Sequence, residues 1–313
     1  MYLYAYIIIW LILVAHLYFK TYNKGSILEV KMKILILGGD KRYHHIINNL
    51  KDKNDITLVG YHTYFDNCIY KKINEINVKQ YDCILFPVNG VKQNYAISAE
   101  EEFIIKENFL EDAKKDVYLF SGIMTQPLKE ILKDRKCNIL INEQDVVREN
   151  AICTVEGIIS DLVEKTDISI NNARIMVIGY GNIGKYLVSV LKHMGANIVV
   201  SIIEEKDKNA LEKENINVCY SNNHINMCSY LKNIDMIINT APNLVINKAL
   251  ITFINKDAYV LDVASYPHGI DKFALDQKSI KNNIYLGIPS KVAPKTAGLI
   301  LIKKINQILG GKQ

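Results

Sequence analysis

The chain has 313 residues, of which 49% are hydrophobic and 23% charged, and a formal net charge of +5 from 38 basic and 33 acidic side chains. This length allows two α/β domains, and the composition is that of an ordinary globular protein. The mild net charge, without a dense basic run, gives no indication of nucleic-acid binding. Six cysteines are scattered without CxxC or Cys/His metal-ligand spacing. This pattern fits reduced thiols in a cytoplasmic protein, and no metal site is expected.

The amino-terminal stretch differs from the rest of the chain. Residues 2–19 are almost wholly apolar and precede Lys20 and Lys24. This is the lower limit of length for a membrane helix, and the lysines would keep the remainder in the cytoplasm. No small-residue cleavage site supports a signal peptide. Residues 1–31 are therefore a membrane anchor, or translation starts at Met32; we favour Met32 because it directly precedes the first strand.

Strand and helix patterns alternate from Met32 onward. Strands are predicted at 33–37, 56–60, 82–88, 117–120 and 138–141, and helices at 41–53, 98–110 and 127–133. A capping box of Ser98 and Glu101 predicts the start of the second helix. The alternation predicts an N-terminal α/β substrate domain with a parallel sheet at residues 32–149. Its turn Gly38-Gly39-Asp40 is not a GxGxxG sequence, so this domain lacks a dinucleotide fingerprint.

The motif that organises the chain is the turn GYGNIG, which follows the apolar run 175–178. The run predicts a parallel strand that is covered on both faces. Gly179 permits the tight turn, Gly181 lets backbone N–H groups approach a pyrophosphate, and Gly184 lets the next helix pack closely on the strand. The cofactor-binding residues expected here are Gly179, Gly181, Asn182, Ile183 and Gly184. The chain is therefore predicted to bind a dinucleotide.

The surrounding elements complete a Rossmann domain at residues 150–290. Helices are predicted at 150–165, 186–194 and 206–214, and further strands at 198–200, 217–220, 235–238, 258–262 and 284–286. The first helix crosses between the domains. An amphipathic helix at 296–309 is predicted to return to the N-terminal domain, so that residues 291–313 pack there. The predicted fold class is thus α/β, with two parallel-sheet domains of which the second binds a dinucleotide.

Ligands of open parallel sheets bind beyond the carboxyl ends of the strands, so the chemistry should lie in the strand-end loops. Asn239-Thr240-Ala241-Pro242 is expected beneath the nicotinamide ribose, where Asn and Thr supply hydrogen bonds and Ala permits close approach. An ordinary strand end is the alternative. Asp262 either orients the nicotinamide or caps the turn that follows it.

Anion-binding residues are expected at two helix starts. Lys295 and Thr296 begin the last helix, where free N–H groups favour a substrate carboxylate. Arg42 could hold a second carboxylate in bidentate fashion, although a surface role is equally compatible with the sequence. The substrate-binding candidates are Gly38, Gly39, Arg42, Ser121, Thr154, Ser265, Thr296 and Ala297, with Lys295 counted as catalytic.

The proton acceptor is expected to be Glu156, which lies among apolar residues of the crossing helix. A buried carboxylate at this position could act as a general base with a raised pKa, or as a structural partner of Arg42 or Lys295. His44, His45 and His268 are further candidates for proton transfer, but each is more typical of a structural histidine.

Cofactor choice depends on the end of the second strand of the Rossmann domain. NAD enzymes often place an acid there, but this chain has Ile202 and Ile203, with Glu204 and Glu205 slightly later. No arginine is present to accept a 2′-phosphate, and nearby carboxylates would repel it. Electrostatics therefore favours NAD over NADP, and both remain open.

Taken together, the motifs resemble the A subunit of dipicolinate synthase from spore-forming bacteria, from Met32 to about Leu309. The resemblance lies in Gly38-Gly39-Asp40 with Arg42, Phe120-Ser121-Gly122-Ile123, Asn150, Thr154-Val155-Glu156-Gly157, the GYGNIG turn, Gly195-Ala196-Asn197, residues 238–242, residues 261–271, Gly287-Ile288-Pro289 and residues 292–298. The TVEG and APKTAG stretches are the specific ones, whereas many dehydrogenases share GxGxxG.

The resemblance implies oxidation of dihydrodipicolinate, from the lysine-biosynthetic branch, to pyridine-2,6-dicarboxylate in the cytoplasm of the sporulating mother cell. It also implies NADP as acceptor and, as partner, a flavoprotein-like B subunit. The chain departs from the family at Ile202-Ile203, where the family tends to carry arginine, and in its apolar leader. The alternatives are a shikimate- or alanine-dehydrogenase-like oxidoreductase and a non-catalytic cofactor-binding subunit.

Overall fold

The computed structural model describes residues 31–310. The two interpretations of the leader concern residues that, apart from Lys31 itself, lie outside this range. Within the described range, every helix is too short or too polar to cross a membrane.

The N-terminal domain contains a six-stranded parallel sheet and a small hairpin. In chain order its strands are β1 (Lys33–Leu37), β2 (Asp55–Val59), β3 (Cys68–Tyr70), β4 (Cys83–Leu85), β5 (Ala96–Ile97), β6 (Phe103–Ile104), β7 (Tyr118–Ser121) and β8 (Asn138–Ile139). β5 and β6 form the antiparallel hairpin, and the other six form the sheet in the order β3-β2-β1-β4-β7-β8. Its helices are α1 (Lys41–Leu50) and α2 (Gln126–Leu132), with short 3-10 helices at Ile73–Glu75, Val78–Gln80 and Leu140–Asn142.

The second domain is entered through α3 (Gln144–Lys165), which begins earlier than the predicted residue 150. Its strands are β9 (Arg174–Ile178), β10 (Asn197–Ile202), β11 (Asn217–Tyr220), β12 (Met236–Asn239), β13 (Tyr259–Asp262) and β14 (Asn282–Ile284). Its helices are α4 (Asn182–His193), α5 (Lys208–Lys213), α6 (His224–Leu231), α7 (Lys248–Ile251) and α8 (Lys272–Gln277), with a 3-10 helix at Glu205–Asp207. All six strands are parallel, in the order β11-β10-β9-β12-β13-β14.

Both sheets therefore have the same doubly wound order, in which the first strand of each domain lies between its second and its fourth. This confirms the predicted fold class of two parallel-sheet α/β domains. The apolar runs explain why both sheets are central layers. In β1, Ile34 and Ile36 face one core and Leu35 and Leu37 the other. Strand β9 shows the same division between successive residues.

The predicted helix at residues 98–110 is wrong. The chain forms bends and the short strand β6 there, because tertiary hydrogen bonds occupy the backbone groups that a helix would need. The carbonyl of Ser98 accepts the N–H of Gly39 at 2.8 Å, and the N–H of Glu101 donates to the carbonyl of Gly60 at 3.1 Å. The local capping signal is overridden by these contacts.

The described range ends with α9 (Ile288–Val292) and α10 (Pro294–Gly310). As predicted, α10 returns to the N-terminal domain, where Ile300, Leu301, Ile302 and Ile305 enter the core beside α1. Lys304 is buried, and its amine lies 2.8 Å from a carboxylate oxygen of Asp145 and 3.3 Å from one of Glu143. This ion pair ties α10 to the start of α3.

Two glycines permit close helix contacts at the junction of the domains. A Cβ at Gly157 on α3 would lie 2.1 Å from Cγ2 of Ile288 on α9. A Cβ at Gly298 on α10 would lie 2.6 Å from the carbonyl oxygen of Arg42 on α1. The two family-specific stretches, TVEG and APKTAG, therefore include the glycines that let these helices approach each other.

We expect Gly157→Ala to destabilise the protein by about 1–3 kcal/mol, because the added methyl group overpacks the contact with Ile288. The midpoint of thermal unfolding should fall, whereas Gly310→Ala, which meets no described atom within 4 Å, should leave it unchanged or slightly raise it. Equal midpoints for the two variants would contradict the inferred contact.

Candidate active site

In the fingerprint turn of the second domain, the first and third glycines are tightly packed, and the middle glycine borders open space. Gly179 has a φ of +90°, and a Cβ there would lie 2.8 Å from Oγ1 of Thr240. A Cβ at Gly184 would lie 2.2 Å from the carbonyl oxygen of Gly179. At Gly181 a Cβ would meet no described atom within 4 Å. The first and third glycines are thus required by packing, and the middle one borders space that a pyrophosphate can fill.

The start of α4 has donors available for an anion. Gly181 is the N-cap residue, and no side chain of the described part caps the helix. Its first N–H groups, beginning with those of Asn182 and Ile183, therefore lack side-chain acceptors. Together with the positive end of the helix dipole, these donors favour a phosphate at this position. The residues fit a dinucleotide in the manner that the sequence predicts.

The loops after β12 and β13 are held together by a buried hydrogen-bond network. Asn239 is fully buried, and its amide nitrogen donates to Oδ1 of Asp262 and to the carbonyl of Ala241, both at 2.9 Å. The carboxylate of Asp262 also accepts the N–H groups of Ala264 at 2.9 Å and Gly269 at 3.0 Å. Of the two roles considered for Asp262, the structure shows the capping of the following loop.

Thr240 and its neighbours form the surface above this network. The hydroxyl of Thr240 donates to the carbonyl of Ile178 at 2.9 Å, which ties the loop to the end of β9. Thr240 and Ala241 are half-buried, and Pro242 and Ser265 are exposed. The tetrapeptide predicted to lie beneath the nicotinamide ribose is therefore adjacent to the fingerprint turn.

The equivalent turn of the N-terminal domain is filled. Gly38 has a φ of +56°, and a Cβ there would lie 2.5 Å from the carbonyl oxygen of Ser98 and 2.7 Å from Cβ of Ala99. The ring of Tyr43 packs against Gly39. The segment of residues 97–101 thus occupies the position where a nucleotide would lie on a sheet of this order. The absence of a fingerprint in the sequence agrees with this filled turn.

Glu100 holds that segment in place. Its carboxylate accepts the backbone N–H groups of His62 at 2.6 Å and Thr63 at 2.7 Å and the hydroxyl of Thr63 at 2.7 Å, and it lies 2.7 Å from Nε2 of His44. Partial burial would raise the pKa of Glu100, but the hydrogen bonds from Thr63, His62 and His44 outweigh it and lower the pKa to about 2.

The starts of α1 and α10 lie side by side. Gly298 of α10 faces Arg42 and His45, and further along the two helices Asn306 contacts Asn49 at 3.4 Å. Later residues of one helix pair with later residues of the other, so the helices run in the same direction. Their N-terminal ends therefore meet at the Gly38-Gly39 turn, and both helix dipoles favour an anion there.

The two cations expected at this anion site have different surroundings. Arg42 is buried, and its guanidinium is already paired with Asp40, from Nε at 2.9 Å and from Nη2 at 2.6 Å. Asp40, which also caps α1, was not among the predicted site residues. Lys295 is exposed and has no ion-pair or hydrogen-bond partner within residues 31–310. Thr296 beside it is exposed and Ala297 is buried.

The expectation that Glu156 is buried is wrong. Glu156 is exposed on α3, because the apolar stripe of this helix faces different neighbours at its two ends. Thr154 is buried, and its hydroxyl donates to the carbonyl of Asn150 at 2.8 Å. Ser121 is fully buried and donates to the carbonyl of Ile123 at 2.9 Å. Both hydroxyls are therefore engaged in hydrogen bonds to backbone carbonyls, and their contact with a substrate stays a prediction.

The three histidines are placed as follows. His44 lies 2.7 Å from Glu100. His45 packs with its Cβ close to Gly298. His268 lies in the loop after β13, with Nδ1 2.9 Å from the carbonyl oxygen of Ala264. In the described part of the chain, no group of three or more His, Cys, Asp or Glu side chains is arranged to hold a metal.

An open glycine turn on one parallel sheet, joined by helices to a second parallel sheet, is the architecture of NAD(P)-dependent oxidoreductases. The comparison with known proteins agrees. Residues 150–304 match the family model of the S-adenosyl-L-homocysteine hydrolase NAD binding domain. The structure of an L-alanine dehydrogenase superposes with a TM-score of 0.58 over 89% of this chain and 90% of that chain, at 11% identity, which shows a shared fold.

The comparisons also confirm the resemblance to the dipicolinate synthase A subunit. Residues 33–141 match the model of the N-terminal domain of the dipicolinate synthase A subunit. The dipicolinate synthase A subunit of Bacillus subtilis is 29% identical over 287 residues, which are 89% of this chain and 96% of that protein. Its crystal structure superposes with a TM-score of 0.81, over 90% of this chain and 97% of that chain. The crystal structure of the Bacillus halodurans A subunit gives 0.84, at 27% identity over 89% and 97%. The chain is a relative of the dipicolinate synthase A subunit.

Substitution of Gly181 should separate binding from folding. We expect Gly181→Ala to unfold at the wild-type temperature, since the methyl group has room, but to bind a nicotinamide dinucleotide about tenfold more weakly or worse, because it enters the pyrophosphate space. Gly184→Ala should instead lower the unfolding midpoint. Calorimetric titration and thermal unfolding measure the two effects, and wild-type affinity in Gly181→Ala would contradict this assignment.

The Glu100 network predicts a pH-dependent stability. Because the pKa of Glu100 is lowered from 4.5 to about 2, its contribution is fully present above the unfolded value and is lost as the pH falls through 2. Glu100→Gln should therefore unfold at a lower temperature than wild type at pH 7, and the difference should shrink between pH 4.5 and 2. The control Glu107→Gln, at an exposed acid, should show no such trend; a constant difference for Glu100→Gln would refute the assignment.

Proposed function

We propose that this chain acts as a dipicolinate synthase A subunit, which oxidises dihydrodipicolinate to dipicolinate with NAD⁺ or NADP⁺. The observation that carries the proposal is the similarity to the A subunit over nearly the whole described chain. The open turn at Gly181 supports it independently, because it leaves room for the cofactor that such a reaction requires.

The reaction is an aromatisation. Dihydrodipicolinate loses a hydride from a ring carbon and a proton from a neighbouring position, and the product is the pyridine ring with its two carboxylates. A bound nicotinamide would supply the hydride acceptor. The aromaticity of the product helps to drive the step, so the main tasks of the protein are to align the ring with the cofactor and to hold two carboxylates.

The paired starts of α1 and α10 are the proposed carboxylate site. Lys295 supplies a cation without a partner in the described structure, and the N–H of Thr296 lies in the first turn of α10. Arg42 retains the donors that Asp40 does not use, so it can contact a second carboxylate while staying in its pair. Gly38 and Gly39 lie close to the same point, but their N–H groups already donate to the carbonyls of Val59 and Ser98.

Glu156 stays the predicted proton acceptor, in a setting that differs from the expected one. Its carboxylate is exposed on α3, so it would have to take the proton at the protein surface or from a substrate that covers it. Glu156→Gln should reduce kcat with little change in KM if it is the base.

For the cofactor we propose NAD⁺ as the preferred acceptor. Ile202 is buried at the end of β10, and Ile203, the next residue, is 62% exposed. The lysines nearby already have carboxylate partners: Lys185 lies 3.6 Å from Asp207, and Lys206 pairs with Glu204. A 2′-phosphate would meet no unpaired cation at this strand end of the described chain, which supports the 2′-hydroxyl of NAD⁺.

The similarity also supports a proposal for the partner, the cellular location and the substrate source of the enzyme. As in the family that it resembles, we propose that the chain works with a flavoprotein-like B subunit in the cytoplasm of the sporulating mother cell. Its substrate would come from the lysine-biosynthetic branch.

The test is a reduction assay. The purified chain, with and without the B subunit, is given dihydrodipicolinate and either NAD⁺ or NADP⁺, and ultraviolet absorbance is followed. We expect dipicolinate and reduced nicotinamide to form in equal amounts, with the higher kcat/KM for NAD⁺. Turnover of another acid alone would favour a shikimate- or alanine-dehydrogenase-like enzyme. Binding of cofactor without turnover, even when the partner is supplied, would favour a non-catalytic role.

Lys295→Met should raise the KM for dihydrodipicolinate about tenfold or more, because a charge-assisted contact with a carboxylate is lost. The matched control is Lys303→Met on the same helix, whose amine pairs with Glu149 at 2.9 Å; it should keep the wild-type KM. The same KM for both variants and wild type would remove Lys295 from the proposed site.

A further inference from the structure

One arginine beside the fingerprint helix stands apart from the other three of the chain. Arg42 pairs with Asp40 and Arg174 with Asp235, and Arg135 donates to two backbone carbonyls. Arg148, on α3, is exposed and has no hydrogen-bond or ion-pair partner within the described range. A planar cation without a partner is a candidate ligand for a phosphate.

Arg148 lines a depression of about 380 Å³ between α3 and α4, together with Asn182 at the first position of α4. The other lining residues are Ala151, Ile152, Lys185, Tyr186 and Ser189. On α4 these residues follow a helical spacing that starts at the fingerprint turn, and on α3 they belong to its first half. The depression therefore runs along α4 from its N-terminal end.

The upper edge of the second sheet is here the one at the carboxyl ends of its strands, and the lower edge is the one at their amino ends. The direction of the two helices places Arg148 at the upper end of this depression. On α3, Asp161 accepts a hydrogen bond from Tyr259 at the first position of β13, which marks the lower edge of the sheet. Arg148 lies 13 residues earlier on the same helix, about 20 Å along its axis at 1.5 Å per residue. α4 begins at the upper edge and runs downward. Arg148 is thus at the end of the depression where α4 starts, which it lines together with Asn182, the residue after Gly181.

The other cation of the depression is already engaged. Lys185 lies 3.6 Å from Asp207 and 5.3 Å from the centre of the Tyr180 ring. The N–H groups at the start of α4 lack side-chain acceptors, and the space at Gly181 is open. An anion placed there would lie at the positive end of the helix dipole, and Arg148 lines the depression that begins at the same helix end.

We infer that Arg148 binds the pyrophosphate of the dinucleotide cofactor at the start of α4. The inference rests on the proposed function, since it requires that a dinucleotide occupies this turn. It adds a residue from the crossing helix to a site whose other residues belong to the Rossmann domain, so that the cofactor contacts the helix that joins the two domains.

The test measures binding directly with the full-length chain. NAD⁺, NADP⁺, ADP and adenosine are titrated into wild type, Arg148→Met and Arg148→Lys by calorimetry. We expect Arg148→Met to raise the Kd of the dinucleotide and of ADP about tenfold or more, because a charge-assisted phosphate contact is lost, and to leave adenosine binding unchanged. Arg148→Lys should recover part of the affinity. Ser189→Ala, in the same depression but two turns below the start of α4, should bind all ligands as wild type does.

Wild-type affinity of Arg148→Met for both the dinucleotide and ADP would overturn the inference. An equal loss for adenosine would also overturn it, because the effect would then not depend on phosphate. A wild-type chain that binds neither NAD⁺ nor NADP⁺ would overturn the proposed function and the inference with it. Thermal unfolding of Arg148→Met at the wild-type temperature excludes misfolding as the cause of a loss.

Discussion

The arrangement of the two domains depends on helix contacts that are too close to admit one further methyl group. At Gly157 the limiting neighbour is a side chain of α9, and at Gly298 it is the backbone of α1. These contacts fix where the two sheets stand relative to each other. Because the strand ends of both sheets carry the candidate residues, the geometry of the site follows from packing at two positions that carry no side chain.

The sheets share one strand order, yet their first turns differ in what surrounds them. In the N-terminal domain, Ser98 and Ala99 press against Gly38, and Glu100 anchors them through backbone N–H groups. In the second domain, Gly181 borders space that no described atom fills. An identical topology therefore serves two purposes, because an inserted segment fills one turn, whereas the other keeps its donors available for an anion.

Much of this architecture could be predicted from the sequence because the signals were local. Short apolar runs bounded by glycine indicated the central strands, and the three glycines of the fingerprint have the surroundings expected of them. The errors arose where distant contacts decided the outcome. Ser98 and Glu101 form a helix-start signal, but the carbonyl of Ser98 accepts a hydrogen bond from the distant N–H of Gly39. The partner of Arg42 was missed because Asp40 was considered only as part of a turn.

Glu156 shows a further limit of periodicity. The apolar spacing of α3 indicated one buried face, but Val146 and Cys153 belong to the core of the first domain, whereas Val155, Ile158 and Leu162 belong to that of the second. The buried face therefore changes along its length, and even Ile152, part of the apolar pattern, is 41% exposed. A pattern averaged over such a helix does not identify the face of a single carboxylate.

The ion pair of Lys304 with Asp145 and Glu143 has a mechanical consequence. It fastens the upper end of α3 to a helix of the first domain, while Asp161, near the lower end, is hydrogen-bonded to the second sheet through Tyr259 and Asn283. The two ends of the continuous helix α3 are thus held by different domains. Relative rotation of the domains must bend or twist α3, and translation of one domain along the axis of α3 is blocked. Any opening or closing of the site would therefore strain α3 itself.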